Sequence, residues 1–219
     1  MIITSITPHA RKPGRFAVFV DGHERATLSL EAIERLRLAI GTALDDRMGA
    51  ALDREAAVLA TYDRAINMLA ARARSSVELR RLLVRKGEPA EYVAVAIERL
   101  VAAGLLDDAS FARQFARSKA LGAGLSRRRL QQELARKGVA RELSDDAIEE
   151  VLDEEGIDDS ASIERVARKK LRTLSKLDAP TQRRRLYAFL ARRGFNSDDI
   201  ARVLRTVLES NASTDDEVI

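Results

Sequence analysis

The chain of 219 residues has no cysteine, no tryptophan, two histidines, four prolines and only 4% aromatic residues. Without cysteine there is no disulfide, no Cys-ligated zinc, no iron–sulfur cluster and no thiol nucleophile. That composition suits a reducing compartment, and a cytoplasmic location is expected. No run approaches 18 apolar residues free of charge, so no membrane-spanning helix is expected. The opening MIITSITPHARKPGRF lacks the apolar centre of a secretory signal. Neither a Gly-x-x-x-x-Gly-Lys-Ser/Thr loop nor a strand followed by Gly-x-Gly-x-x-Gly occurs. His9 and His23 stand too far apart for metal-ligand spacing. No enzyme, cofactor or metal site is therefore expected.

What is present is charge and small aliphatic residues. Charged side chains make up 33% and apolar ones 46%, against about 25% charged in ordinary soluble domains. A core of Ala, Leu, Val and Ile under a charged exterior points to a mainly α-helical chain. The first fifty residues differ. FAVFV (Phe16–Val20) and HERATL (His23–Leu28) flank Asp21-Gly22, a strong hairpin signal. Ile2–Ile6 can add a third strand. Ser29 is placed to cap a helix from Leu30 to about Ile40, with Ile33, Leu36 and Ile40 on one face and Gly41 as its stop. From about Asp53 the pattern is helical, with Tyr62, Ile66, Leu69 and Ala73 at helical spacing. Of the four prolines, Pro89 and Pro180 alone lie beyond residue 50, each beside an expected boundary.

The most informative feature is an internal repeat. LRRLLVRKG, LQQELARKG and LYAFLARRG end at Gly87, Gly138 and Gly194, and each reads Leu-x-x-x-Leu-x-basic-basic-Gly. The leucine pairs are Leu79 and Leu83, Leu130 and Leu134, Leu186 and Leu190. The register persists downstream: Ile97, Ile148 and Leu204 stand ten residues past the glycines, and Leu100, Val151 and Val207 thirteen past. Leucines at i and i+4 make a buried stripe, basic residues suit the negative end of the helix, and glycine takes the left-handed C-cap. A further helical segment precedes each unit, at about 54–73, 108–121 and 159–174. The expected architecture is three tandem three-helix repeats in an elongated, curved array, behind a small N-terminal β-hairpin region. The expected divisions are 1–50 for the hairpin and short helix, 51–106, 107–157 and 158–210 for the repeats, and 211–219 for a disordered acidic tail.

Acidic pairs at Asp45-Asp46, Asp107-Asp108, Asp145-Asp146, Asp158-Asp159 and Asp198-Asp199 could hold magnesium in a nuclease. Most stand near helix starts, where a carboxylate caps free N–H groups, and that reading is preferred. Gly122-Ala123-Gly124 resembles a phosphate loop only superficially. The basic residues are organised. Segments 76–87, 126–138 and 181–194 carry +3, +4 and +5. Together that is +12, leaving −8 on the other 180 residues of a chain with net charge +4. The same helix of each repeat is thus basic in an otherwise acidic chain. The contact candidates are Arg80, Arg81, Arg85 and Lys86 in the first repeat. They are Arg127, Arg128, Arg129, Arg136 and Lys137 in the second, and Arg183, Arg184, Arg185, Arg192 and Arg193 in the third. The Arg triplets occupy first helical turns, against the dipole preference, which favours a surface facing a polyanion or an acidic partner. Tyr92, Phe111, Phe115, Tyr187, Phe189 and Phe195 read as core, so no base-stacking platform is indicated.

The three repeats, the stretch Gly104-Leu105-Leu106-Asp107-Asp108-x-x-Phe111-Ala112, the Ser76-x-Glu78-Leu79 opening and Phe189-Leu190-x-Arg192-Arg193-Gly194-Phe195 resemble the RecX family. These are regulatory proteins of the bacterial recombinase RecA. The resemblance covers about residues 55–210. It implies a non-enzymatic, all-helical repeat protein that docks along the groove of a RecA–single-stranded DNA filament. It implies inhibition of ATPase, strand exchange and coprotease activity, by blocked extension or promoted disassembly, in DNA repair, homologous recombination and the SOS response. The partners expected are the RecA filament and DNA, single-stranded and secondarily double-stranded, bound weakly and with salt sensitivity. A monomer is the expected state. The rival reading is a direct DNA-binding protein with helix-turn-helix-like repeats.

Overall fold

In a computed structural model describing residues 1–215, Asp21 and Gly22 both take positive φ, 48° and 85°. A type I′ turn requires that combination. It pairs β2 (Arg15–Val20) with β3 (His23–Ser29), and β1 (Ile3–Pro8) adds to β2, giving a three-stranded antiparallel sheet. Ser29 caps the following helix through its Oγ, which accepts from the Ala32 N–H at 3.3 Å. That helix, α1 (Leu30–Arg35), is shorter than expected. The chain turns at Arg37, whose φ is 51°. The turn sends Leu38 into the core and leaves Ile40 exposed, while Ile33 and Leu36 pack in the core as expected.

The long helix α2 (Asp46–Ala71) is capped by Asp45 and continues past residue 50 without a break. Leu52, on its first half, packs with Ile3, Val18 and Leu28 of the sheet. Ala65, on its second half, packs with Leu79, Leu83, Val93 and Leu100. One helix thus contributes to two cores. Because it ends at Ala71, Ala73 falls outside it and is exposed.

Helices α3 (Ser76–Arg85) and α4 (Ala90–Ala102) complete the first three-helix unit. The second has α5 (Asp108–Ser118), a one-turn π-helix at Lys119–Ala123, α6 (Arg127–Arg136) and α7 (Arg141–Glu154). The third has α8 (Asp159–Arg172), α9 (Ala179–Arg192) and α10 (Ser197–Asp215). Helix α10 therefore runs past residue 210; residues 216–219 of the acidic tail lie outside the described residues.

The repeated motif has one physical form in all three units. All six motif leucines are fully buried. The glycines take φ of 92°, 80° and 90°. The residue after each glycine then donates its N–H to the carbonyl of the second motif leucine: Glu88 to Leu83, Val139 to Leu134 and Phe195 to Leu190. This closes the last turn and points the next helix back across the first. The downstream positions Ile97, Ile148, Leu204, Leu100, Val151 and Val207 are all buried in their own units. The chain divides into two compact units, residues 1–106 and residue 107 onward.

Candidate functional site

Local capping accounts for most of the acidic pairs. The carboxylates of Asp45, Asp107 and Asp158 each accept backbone N–H bonds at a helix start. Asp178 does the same for α9. Hydrogen bonds from the Thr181 backbone N–H and then the Thr181 side chain hold its carboxyl below the ordinary range, with Arg184 adding a smaller effect. Asp145 and Asp146 depart from the expected pattern, lying inside α7. There Asp145 accepts from Gln131 Nε2 at 2.8 Å and faces Arg141 at 3.4 Å. Among the described residues, no three His, Asp or Glu side chains cluster so as to hold a metal ion.

The basic candidates separate into two groups. On α3, Arg80, Arg81, Arg85 and Lys86 are exposed, and Arg80, Arg85 and Lys86 make no ion pair among the described residues. On α9, Arg183, Arg184, Arg185 and Arg192 are likewise exposed. The intervening Leu79 and Leu83, or Leu186 and Leu190, hold the opposite face in the core, so the charges project by default from the outer face.

Helix α6 is different, because much of its charge is used internally. Its first turn meets the C-terminal end of α9. The Ser126 N–H donates to the Arg193 carbonyl at 3.0 Å. Arg128 Nε donates to the Gly194 carbonyl at 3.1 Å, and Arg193 Nε donates back to the Ala123 carbonyl at 2.8 Å. Arg129 pairs with Glu133 at 2.6 Å, and Arg136 pairs with the same carboxylate at 3.2 Å. Lys137 lies over the rings of Phe111 and Phe115. Arg127 stays half-exposed. Arg128, although it opposes its own helix dipole, therefore meets the negative end of another helix through the Gly194 carbonyl. Arg193 stacks on Phe189 with its guanidinium carbon 3.6 Å from the ring centre. Burial first, and the neighbouring Arg192 second, lower its pKa from the ordinary arginine value.

The join is tight because two glycines permit it. A Cβ on Gly194 would lie 2.5 Å from Arg129 Cβ and 2.7 Å from Ser126 Oγ, and one on Gly124 would lie 2.5 Å from Val166 Cγ2. Beside the join is an open cavity of about 340 Å³ between the π-turn, α8 and α9. Arg165, Lys169, Lys170 and Arg193 line it. The three α8 cations carry no Leu-x-x-x-Leu-x-basic-basic-Gly signature, so the repeat pattern passes over them. A search for basic residues at i, i+4 and i+5 on one helix face would have found them. Of the aromatics read as core, Phe111 and Phe195 are buried, Phe115, Phe189 and Tyr92 half-buried, and Tyr187 is exposed.

Fold and surface together define a tandem three-helix repeat protein with cationic outer helices and a small leading sheet. Family models for the first, second and third three-helix domains of RecX match residues 62–100, 107–148 and 158–204, in that order. The chain belongs to the RecX family. It is 40% identical over 141 residues to regulatory protein RecX of Mycolicibacterium vanbaalenii, covering 60% of this chain and 73% of the relative. It is 33% identical to that of Pelodictyon phaeoclathratiforme, over 69% of this chain and 91% of the relative. With that of Levilactobacillus brevis it shares 28% identity across 94% of this chain and 77% of the relative. A crystal structure of regulatory protein RecX superposes with a TM-score of 0.74 at 21% identity, over 95% of this chain and 98% of that one. RecX from Lactobacillus salivarius superposes at 0.55 and 18%, over 69% and 96%. These two structures share the fold.

Proposed function

We propose that this chain regulates the recombinase RecA by binding the RecA–single-stranded DNA filament and inhibiting its activities. The supporting observation is the ordered set of three RecX three-helix domains, whose α3 and α9 carry arginines exposed at their surface, Arg80 and Arg85 on the first and Arg183, Arg185 and Arg192 on the second. Such cations attract DNA phosphates or acidic protein loops without requiring a catalytic group. Inhibition by binding has one thermodynamic condition: the inactive or disassembled state must be bound more tightly than the extending filament, because equal affinity shifts nothing. The α3 and α9 arginines are the contact residues in this reading. Of the α6 residues, Arg128 acts chiefly to join the second and third repeats, while Arg129 is paired with Glu133 within its own helix.

The test is the ATPase rate of the cognate RecA on single-stranded DNA, with the protein titrated in at two salt concentrations. A fall at substoichiometric protein is expected if the filament end is capped or the filament is taken apart. Near-stoichiometric inhibition would place the protein along the groove. A rate that never moves, with folded protein and active RecA, would refute the proposal. Sequence-selective duplex binding at physiological salt would then favour direct DNA recognition.

A further inference from the structure

The cavity beside the join of the second and third repeats combines two chemistries. Its cationic side holds Arg165, Lys169 and Lys170 from α8 and Arg193 from α9. Among the described residues no Asp or Glu lines it. Its apolar side is built from Leu121, Val166 and Phe189. Part of its lining, Leu121 to Ala123, comes from the π-turn Lys119–Ala123, an irregularity that often marks functional sites. The volume, about 340 Å³, lies in the range of small-ligand pockets and exceeds what a single carboxylate side chain would fill.

Each cation has a reason for its place. Lys170 is half-buried and sits 5.4 Å from the centre of the Phe189 ring. Arg193 is fixed by the Ala123 carbonyl and by stacking on the same ring. Arg165 and Lys169 are exposed at the rim, and neither makes an ion pair among the described residues. Four positive charges thus surround an apolar floor that no acidic residue lines among the described residues. The ligand that matches is an anion carrying a flat apolar group. A nucleotide has that form: phosphate for the rim, sugar and base for the floor. In a duplex the base is stacked inside and cannot reach the floor, whereas a single strand can turn a base inward.

We propose that this cavity is a binding site for one nucleotide of single-stranded DNA, with Lys169, Lys170 and Arg165 on the phosphate. Apart from Phe189 and Arg193, which α9 contributes to the cavity, the site lies away from the exposed α3 and α9 arginines of the RecA reading and does not depend on it. It is tested without RecA, so the two can fail independently.

The probe is a fluorescent oligothymidylate, titrated by anisotropy at several salt concentrations. Lys169→Glu with Lys170→Glu should weaken binding at least about tenfold, and the salt slope should fall by about one. Lys169→Ala with Lys170→Ala should do the same more mildly, which keeps the test valid should the reversed pair unfold the helix by circular dichroism. Thr173→Trp, which narrows the cavity without changing charge, should weaken binding several-fold. The matched reversal Arg11→Glu with Lys12→Glu, in the loop before β2, should leave affinity within about twofold. Equal weakening by both reversals, together with an unaffected Thr173→Trp, would overturn the pocket, because charge alone would then explain binding. A fluorescent ATP that binds as tightly as the oligonucleotide and is displaced by it would overturn the single-strand assignment. Oligonucleotide affinity left intact by the Lys169 and Lys170 reversal would do so too.

Discussion

Gly194 shows how one residue serves two physical demands. It caps α9 at a φ of 90°, which a side chain adopts only at a cost of about 1–2 kcal/mol. It also lets the first turn of α6 approach within contact of its Cα. Gly87 has the first demand alone, since nothing lies within 4 Å of where its Cβ would be. Gly87→Ala should therefore cost about 1–2 kcal/mol, and Gly194→Ala a further 1–3 kcal/mol or so from overpacking. Urea unfolding of the two variants measures the difference. At Asp178 the expectation concerns pH. Its carboxyl is held below its ordinary value by the Thr181 bonds, so its stabilising effect is present at neutral pH and above the unfolded-state pKa. It is lost as pH falls through the lower folded-state value. Asp178→Ala should thus destabilise the protein at pH 7, and the gap to the parent should shrink as pH is taken down below about 4. Denaturant midpoints across that range give the answer.

At the scale of elements, the motif leucines carry the packing. Each sits in a core that is its own unit's and not shared along the chain. Leu83→Ala, Leu134→Ala and Leu190→Ala should each cost about 2–5 kcal/mol, measurable by chemical denaturation. Periodicity predicted these positions because a helix buried on one face repeats its apolar residues at three and four. The same reasoning misjudged α1. Its apolar positions were legible, but Arg37 reverses the backbone after two turns, and nothing in an i, i+3, i+4 pattern reports such a reversal. Nor did the hairpin's separation from the helical part survive as a break in the chain, since α2 runs continuously through both cores.

Across the whole molecule the question is which charges are free to meet a partner. Reversal of Arg183, Arg184 and Arg185 to Glu should weaken inhibition of the RecA ATPase several-fold and leave the helical spectrum unchanged. Reversal of Arg80, Arg85 and Lys86 should act in the same direction. Reversal of Arg127, Arg128 and Arg129 is expected to lower stability as well. It removes the Arg128 bond to Gly194 and the Arg129 pair with Glu133, and it sets new carboxylates against the carbonyl end of α9. A thermal melt beside each inhibition curve separates the two effects.

The three repeats, their buried leucines, the capping glycines and the Asp-Gly hairpin could be read from residue order, because each arises from neighbours within about ten positions. Caps, stripes and two-residue turns are local physics. Contacts between residues far apart in the chain were not legible in that way. Arg128 meets Gly194 across 66 residues and Arg193 meets Ala123 across 70. No spacing rule links such pairs, so a basic residue held by a distant carbonyl looks the same in sequence as one left for a partner. The cavity at the π-turn has the same origin. Its cations come from two helices and its apolar floor from three segments, and folding alone brings them together.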